Sequence, residues 1–142
     1  MATTMAQELE ELADDFDFLE DWEDRYRHIL DLGKALAPLS PAEHSDAHKV
    51  RGCASQVWLV RDPAPEGRLA FRGDSDAHLV RGLIALLLRL YSGRTPDEIL
   101  AFDAPAAVDR LGLKEALSSQ RANGLVAMVD RIRREAQAAV AA

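Results

Sequence analysis

A single cysteine stands in the 142 residues of this chain. One thiol cannot supply an intrachain disulfide framework, a cysteine-only zinc site, or an iron–sulfur cluster held by this chain alone. Eight glycines and six prolines are too few for a linker or a low-complexity protein. Long apolar runs are missing too. The stretch from Gly82 to Leu88 ends at Arg89, far short of a membrane span. The first residues carry no basic charge, so no secretory signal is read there. These absences set the expectation of a cytoplasmic protein with no membrane partner. A chain of this length should form one domain, 1–142, and bury roughly two-thirds of its unfolded surface without a covalent staple.

Positive charge is scarce at one end. Residues 1–24 hold ten acids and no Lys or Arg. The whole chain carries 24 acids against 17 bases, so the remainder is 14 acids against 17 bases, or +3. An acidic total argues against nucleic acid as a partner, since nothing would offset phosphate repulsion. The acidic run reads as a solvated helix face, or as a docking segment for a basic partner.

The apolar pattern is present, and it changes period along the chain. Leu9, Leu12, Ala13 and Phe16 predict an amphipathic helix over residues 6–18. Asp21 caps a second, with Trp22, Tyr26, Ile29, Leu30 and Gly33 as its stripe. A loop follows from Pro38 to His48. Residues 54–61 read as a strand, and Arg68 to Gly73 as its antiparallel hairpin partner. The intervening Asp62–Gly67 reads as too proline-rich to continue the sheet. Ser75 then caps a strongly apolar helix running to about Ser92, expected at the centre. Thr95-Pro96-Asp97-Glu98 is a capping box for a short helix. Asp103 and Pro105 start another piece, ended by Gly112. Ser118 or Ser119 caps the last helix, with Leu125, Met128, Val129 and Ile132 inside. The alanine-rich tail after Glu135 should fray. The class is α+β, a small antiparallel sheet packed against helices.

Chemistry centres on Cys53. It follows Gly52 at the mouth of a strand, with His48, Lys49 and Arg51 close before it. Positive charge favours thiolate, the reactive form. A lone cysteine is equally a small buried hydrophobe, and the residues leave both readings open. A hydrolase would need a histidine base, and the spacing of His28, His44, His48 and His78 selects none. His28 is expected to be solvated. A metal site from Cys53 and two histidines has no ligand-spacing pair behind it. In Gly73-Asp74-Ser75-Asp76-Ala77, helix capping accounts for Ser75 and Asp76, while Asp74 is free for a surface role. Gly124 inside a helix costs about 1 kcal/mol against alanine and marks close packing or a close partner. Arg121 lies one turn before it.

Three segments together resemble the SufE family of sulfur-acceptor proteins, including its CsdE branch. They are Gly52-Cys53-Ala54-Ser55-Gln56-Val57-Trp58; Gly73-Asp74-Ser75-Asp76-Ala77 with Val80-Arg81-Gly82-Leu83; and Arg121 with Gly124-Leu125. The Asp21-Trp22-Glu23 opening and Leu32-Gly33 add to the match, which covers about residues 22–132. The acidic helix of residues 1–20 lies outside it.

The resemblance implies the IscU-type fold, with a third strand near His48 to Arg51, and a cysteine on a loop that is shielded in the free protein. It implies that Cys53 receives sulfane sulfur from a cysteine desulfurase as a persulfide and passes it to an iron–sulfur assembly scaffold. It also implies that the chain stimulates the desulfurase. The chain would be a sulfurtransferase-like accessory protein with no cofactor or metal of its own, the pyridoxal phosphate belonging to the desulfurase. Arg51, Gly52, Ser55, Gln56, Asp74, Asp76 and Arg121 are then the residues supporting the loop or touching the partner. Such transfer is thiol–disulfide exchange in form and needs only one thiol. Two other classes stay open: a binding module that regulates a desulfurase without accepting sulfur, and a single-cysteine redox sensor.

Overall fold

In the computed structural model, α1 (Met5–Phe18) and α2 (Trp22–Lys34) lead into a long irregular segment with one 3-10 turn, Pro41–Glu43. Then come the strands β1 (Val57–Pro63) and β2 (Leu69–Ser75) and the central helix α3 (His78–Tyr91). Three short helices follow, α4 (Pro96–Ala101), α5 (Ala104–Arg110) and α6 (Leu113–Ala116), before the long α7 (Ser119–Ala141). Residues 4–53 and 55–141 are described, Lys114 and Ala116 by their backbone alone. Ala54, at the expected start of the first strand, and the first three residues of the acidic segment lie outside the described residues.

The core is built on α3. Leu83, Ile84 and Leu86 are 1–2% exposed, and burial of each such side chain contributes about 1.5–3 kcal/mol. The hairpin β1–β2 is antiparallel, with Val57 opposite Ser75 and Pro63 opposite Leu69. It packs Leu59, Leu69 and Phe71 into the same core. Helix α2 crosses α3 at a pair of glycines. A Cβ on Gly33 would lie 2.7 Å from the Gly82 nitrogen, and one on Gly82 would collide with the Ile29 carbonyl. Only glycine on both sides lets the two backbones approach so closely.

The acidic run is partly tied down. Glu8 and Glu11 reach Arg89, and Glu10 and Asp17 reach Arg110. Met5, Leu12, Ala13 and Phe16 are buried beneath. Asp14 and Asp15 stay on the exposed face.

Several elements differ from expectation, each for a visible reason. β1 runs on through Asp62 and Pro63. Leu69, the partner of Pro63, sends its N–H to the Arg94 carbonyl at 2.8 Å, away from β1. That pair is therefore non-hydrogen-bonded, and a proline there removes no ladder bond. Ser75 does not cap α3. It is still paired in the sheet, its hydroxyl accepts from the Ala77 N–H at 3.2 Å, and the N-cap is Ala77 without a side-chain bond. The expected third strand is one isolated bridge between Lys49 and Trp58. A turn closed by the His48 N–H on the Ser45 carbonyl bends the chain before it, and the Arg51-Gly52 turn bends it after. Too few residues remain between them to pair. The four-residue α6 after Gly112 carries no sequence signal of its own. α7 stays helical to Ala141, with Ala136 fully buried, in place of the expected frayed tail. Alanine is the strongest helix former, so this composition extends a docked helix readily.

Candidate functional site

Cys53 sits where the loop from the Lys49 bridge meets β1. The chain turns at Arg51 and Gly52, and Gly52 adopts φ +92°, a left-handed conformation that glycine takes without steric cost. The turn lays Cys53 against α7. Its thiol donates a weak hydrogen bond to the Gly124 carbonyl at 3.6 Å. A Cβ at Gly124 would stand 3.6 Å from the sulfur, an ordinary van der Waals contact, so the loop packs directly on this face of the helix. The sulfur faces a cavity of about 20 Å³ lined by Ser55, Val80, Leu83, Gln120, Arg121, Gly124 and Met128. That is room for about one water-sized atom.

Burial pushes the Cys53 thiol above its ordinary pKa. This reverses the expectation that the basic approach favours thiolate. None of His48, Lys49 and Arg51 lines the cavity. His48 bonds Ser45, Lys49 gives its carbonyl to Arg131, and Arg51 lies exposed over a separate hollow. With the charges elsewhere, desolvation of the sulfur decides, and the resting thiol keeps its proton.

The other site residues fall into three places. Ser55 and Arg121 share the cavity with Cys53. Gln56 and Asp76 fasten the loop's far end to the exit of β2. The Gln56 N–H donates to Asp76 Oδ1 at 3.0 Å, and the Asp76 N–H donates back to the Gln56 carbonyl at 3.3 Å. Asp76 is thus a loop clasp instead of a first-turn acid. Asp74 lies outside the cavity. It accepts from the Ser75 N–H at 2.8 Å, from His44 Nε2 at 2.8 Å, and faces Arg81 Nε at 3.2 Å.

His44 has its Nδ1 at 2.9 Å from the Ser40 carbonyl and its Nε2 on Asp74, and its edge meets the Trp58 ring at 4.7 Å. Both nitrogens face acceptors, an arrangement that favours the protonated ring, which can donate from each. Asp74 accordingly holds its pKa above the usual histidine value. Two more clamps bind the segment before Cys53. Arg72 makes a two-pronged pair with Glu43 at 2.6 and 2.9 Å and another with Asp62 at 2.7 and 3.2 Å. Arg131 donates to the carbonyls of Lys49 and Ala47, each at 3.0 Å. The cysteine loop therefore hangs from a fixed strap.

Among the described residues, no histidine lines the Cys53 cavity. His28, expected in solvent, turns inward. Its Nε2 is buried and its edge meets Phe16. Sequence reasoning missed the walls Val80, Leu83, Gln120 and Met128. The three apolar ones sit on helical stripes, where spacing cannot separate a cavity wall from ordinary core. Among the described residues, no helix is long and apolar enough to cross a membrane.

Residues 10–136 match the protein family described as SufE, an Fe-S metabolism associated domain. An uncharacterized SufE-like protein of Rhizobium etli is 53% identical over 137 residues, covering 94% of this chain and 93% of that one. An uncharacterized SufE-like protein of Rhizobium meliloti is 48% identical over 132 residues, covering 91% and 94%. The solution structure of a hypothetical protein from Thermus thermophilus superposes with a TM-score of 0.77 at 21% identity, over 95% of this chain and 97% of that one. That likeness supports the α+β fold.

Proposed function

This chain belongs to the SufE family, associated with Fe–S metabolism, and on that premise we propose that Cys53 is the acceptor of sulfane sulfur from a cysteine desulfurase. The Cys53 thiol gives up its proton as the docked partner displaces the loop from Gly124. The thiolate attacks the outer sulfur of the desulfurase cysteine persulfide. The new S–S bond forms on Cys53, the old one breaks, and the desulfurase cysteine leaves as thiolate and takes up the proton that Cys53 released. Cys53 then carries the sulfur as its own persulfide to an acceptor in iron–sulfur cluster assembly. No oxidant is consumed, because the sulfane sulfur moves between two thiols without change of oxidation state.

The observation that carries this reading is the cavity. A protonated, half-buried thiol lies against a glycine, with space left for about one further atom. Space of that size suits an added sulfur, and enclosure protects a species that solvent exposure would oxidise. A half-buried thiol whose pKa is raised by burial favours this reading over a redox sensor, whose cysteine should be exposed and low in pKa. Arg121, at the cavity wall, is the charge placed to steady the thiolate once the loop opens. Pyridoxal phosphate is the partner's cofactor and no residue here is assigned to hold it.

The test is desulfurase turnover with excess chain. The native chain should raise alanine release, and Cys53→Ser should bind the enzyme equally well yet give no increase. Full stimulation by Cys53→Ser would replace the acceptor with a regulatory binding module.

A further inference from the structure

A second recess adjoins the cysteine loop. Arg51, Ala127, Asp130, Arg133, Arg134 and Gln137 line a hollow of about 400 Å³. Its floor touches the loop directly, since a Cβ on Gly52 would stand 3.3 Å from the Ala127 Cβ. In a chain of net charge −7 this lining holds three arginines against one acid. Two of them are idle. Among the described residues, the side chains of Arg51 and Arg134 make no hydrogen bond or ion pair. Arg121, on the Cys53 cavity, is the third such arginine, whereas the chain's other arginines are engaged. The Arg133 guanidinium is held by the Leu100 carbonyl at 3.0 Å and still has N–H groups to spare.

Free guanidiniums around a recess are suited to planar carboxylates, which they bind through paired N–H groups. Volume decides the kind of ligand. The hollow is roughly ten times the ~30 Å³ share of one water molecule, so a lone small anion would leave most of it wet. Several side chains of one peptide segment would fill it. A nucleic acid is disfavoured by the ten acids of residues 1–24 on the same molecule.

We propose that this hollow docks an acidic segment of the sulfur-donating desulfurase, and that its occupation positions the enzyme over the Cys53 loop. The proposal rests on the sulfur-acceptor reading and adds the partner's chemistry to it. A carboxylate on Arg51 lies two residues from the cysteine, so docking there acts on the turn that holds Cys53 against Gly124.

The experiment titrates the chain with the cysteine desulfurase of the same organism at about 50 and 300 mM NaCl. The chains compared are the native one, Arg51→Glu/Arg134→Glu, and Arg51→Lys/Arg134→Lys. Intact mass is recorded at saturating enzyme and cysteine. The charge reversal should weaken binding roughly ten-fold at low salt and flatten the salt dependence. The lysine pair keeps the charge but loses the paired N–H groups, so it should bind less tightly than the native chain and more tightly than the reversal, and sulfur should still appear on Cys53 once enzyme saturates. Both positions are exposed, and thermal denaturation will verify that the variants fold. Unchanged affinity and salt dependence in the reversal, with sulfur transfer intact, would overturn the docking role alone. A native chain that binds the enzyme but takes no sulfur would instead overturn the acceptor reading. Self-association of the native chain that the reversal abolishes, with enzyme affinity unmoved, would assign the hollow to a second copy and overturn the proposal.

Discussion

Gly124→Ala separates stability from function at this site. The added methyl would meet Cys53 Sγ at 3.6 Å, Cβ at 3.9 Å and Cα at 4.0 Å, all ordinary van der Waals contacts. No neighbour has to move. The substitution also replaces the least favourable helix residue short of proline with the best, which is worth about 1 kcal/mol in a helix interior. The variant should therefore be more stable than the native chain by about 0.5–1 kcal/mol, or roughly 2–4 °C in Tm. Yet the methyl occupies space next to a cavity of only about 20 Å³. The persulfide sulfur then loses its place against α7. Cys53 should still receive sulfur, but the persulfide should decay several-fold faster under added thiol or oxygen. The assay pairs a thermal melt with timed intact-mass measurement of persulfide loss. A rise in Tm with an unchanged persulfide lifetime would refute the cavity's protective role. A fall in Tm would mean that the methyl does not fit against Cys53.

Gly82→Ala should behave in the opposite way, since its methyl collides with the Ile29 backbone where α2 crosses α3. We expect a loss of about 2 kcal/mol or more in urea denaturation, and a loss under 0.5 kcal/mol would mean the two helices separate easily. Arg72 holds the Glu43 carboxyl down at about 2 and lowers that of Asp62. These depressed values stabilise the fold above the unfolded carboxylate range and lose that contribution as pH falls through the folded values. Arg72→Met should accordingly flatten the stability curve between about pH 5 and 2, and a curve parallel to the native one would contradict the pairing. His44 runs the other way. Its raised pKa stabilises the fold fully below the unfolded value near 6.5 and loses that stabilisation as pH rises through the folded pKa. His44→Gln should remove this decline above pH 6.5, measured as Tm against pH, and persistence of the decline would place it elsewhere.

Local chemistry was legible where one residue type has one job. The Thr95–Glu98 capping box, the amphipathic stripes, the hairpin and the close packing at Gly124 follow from spacing and residue type, whereas the boxes at Thr4 and Ser40 went unread. The surprises lie where partners distant in sequence set the outcome. Ser75 and Asp76 have the sequence of a helix start, but Val57 and Gln56 hold them at the sheet end. Three bases beside Cys53 left a thiolate open, but they do not line its cavity and burial of the sulfur governs. His28 follows Arg27 in sequence, but its ring meets Phe16, twelve residues away. The strap that carries the cysteine loop joins residues 29 apart at Glu43–Arg72, 30 apart at His44–Asp74 and 82 apart at Lys49–Arg131. No local pattern announces such pairs.

The central claim is that Cys53 carries sulfur. Its most direct measurement is the intact mass of the native chain and of Cys53→Ser after incubation with a cysteine desulfurase and cysteine, without reductant. A gain of one sulfur is expected on the native chain, reversed by added thiol, and none on Cys53→Ser. No gain on a native chain shown to bind the enzyme, or an equal gain on the variant, would contradict it.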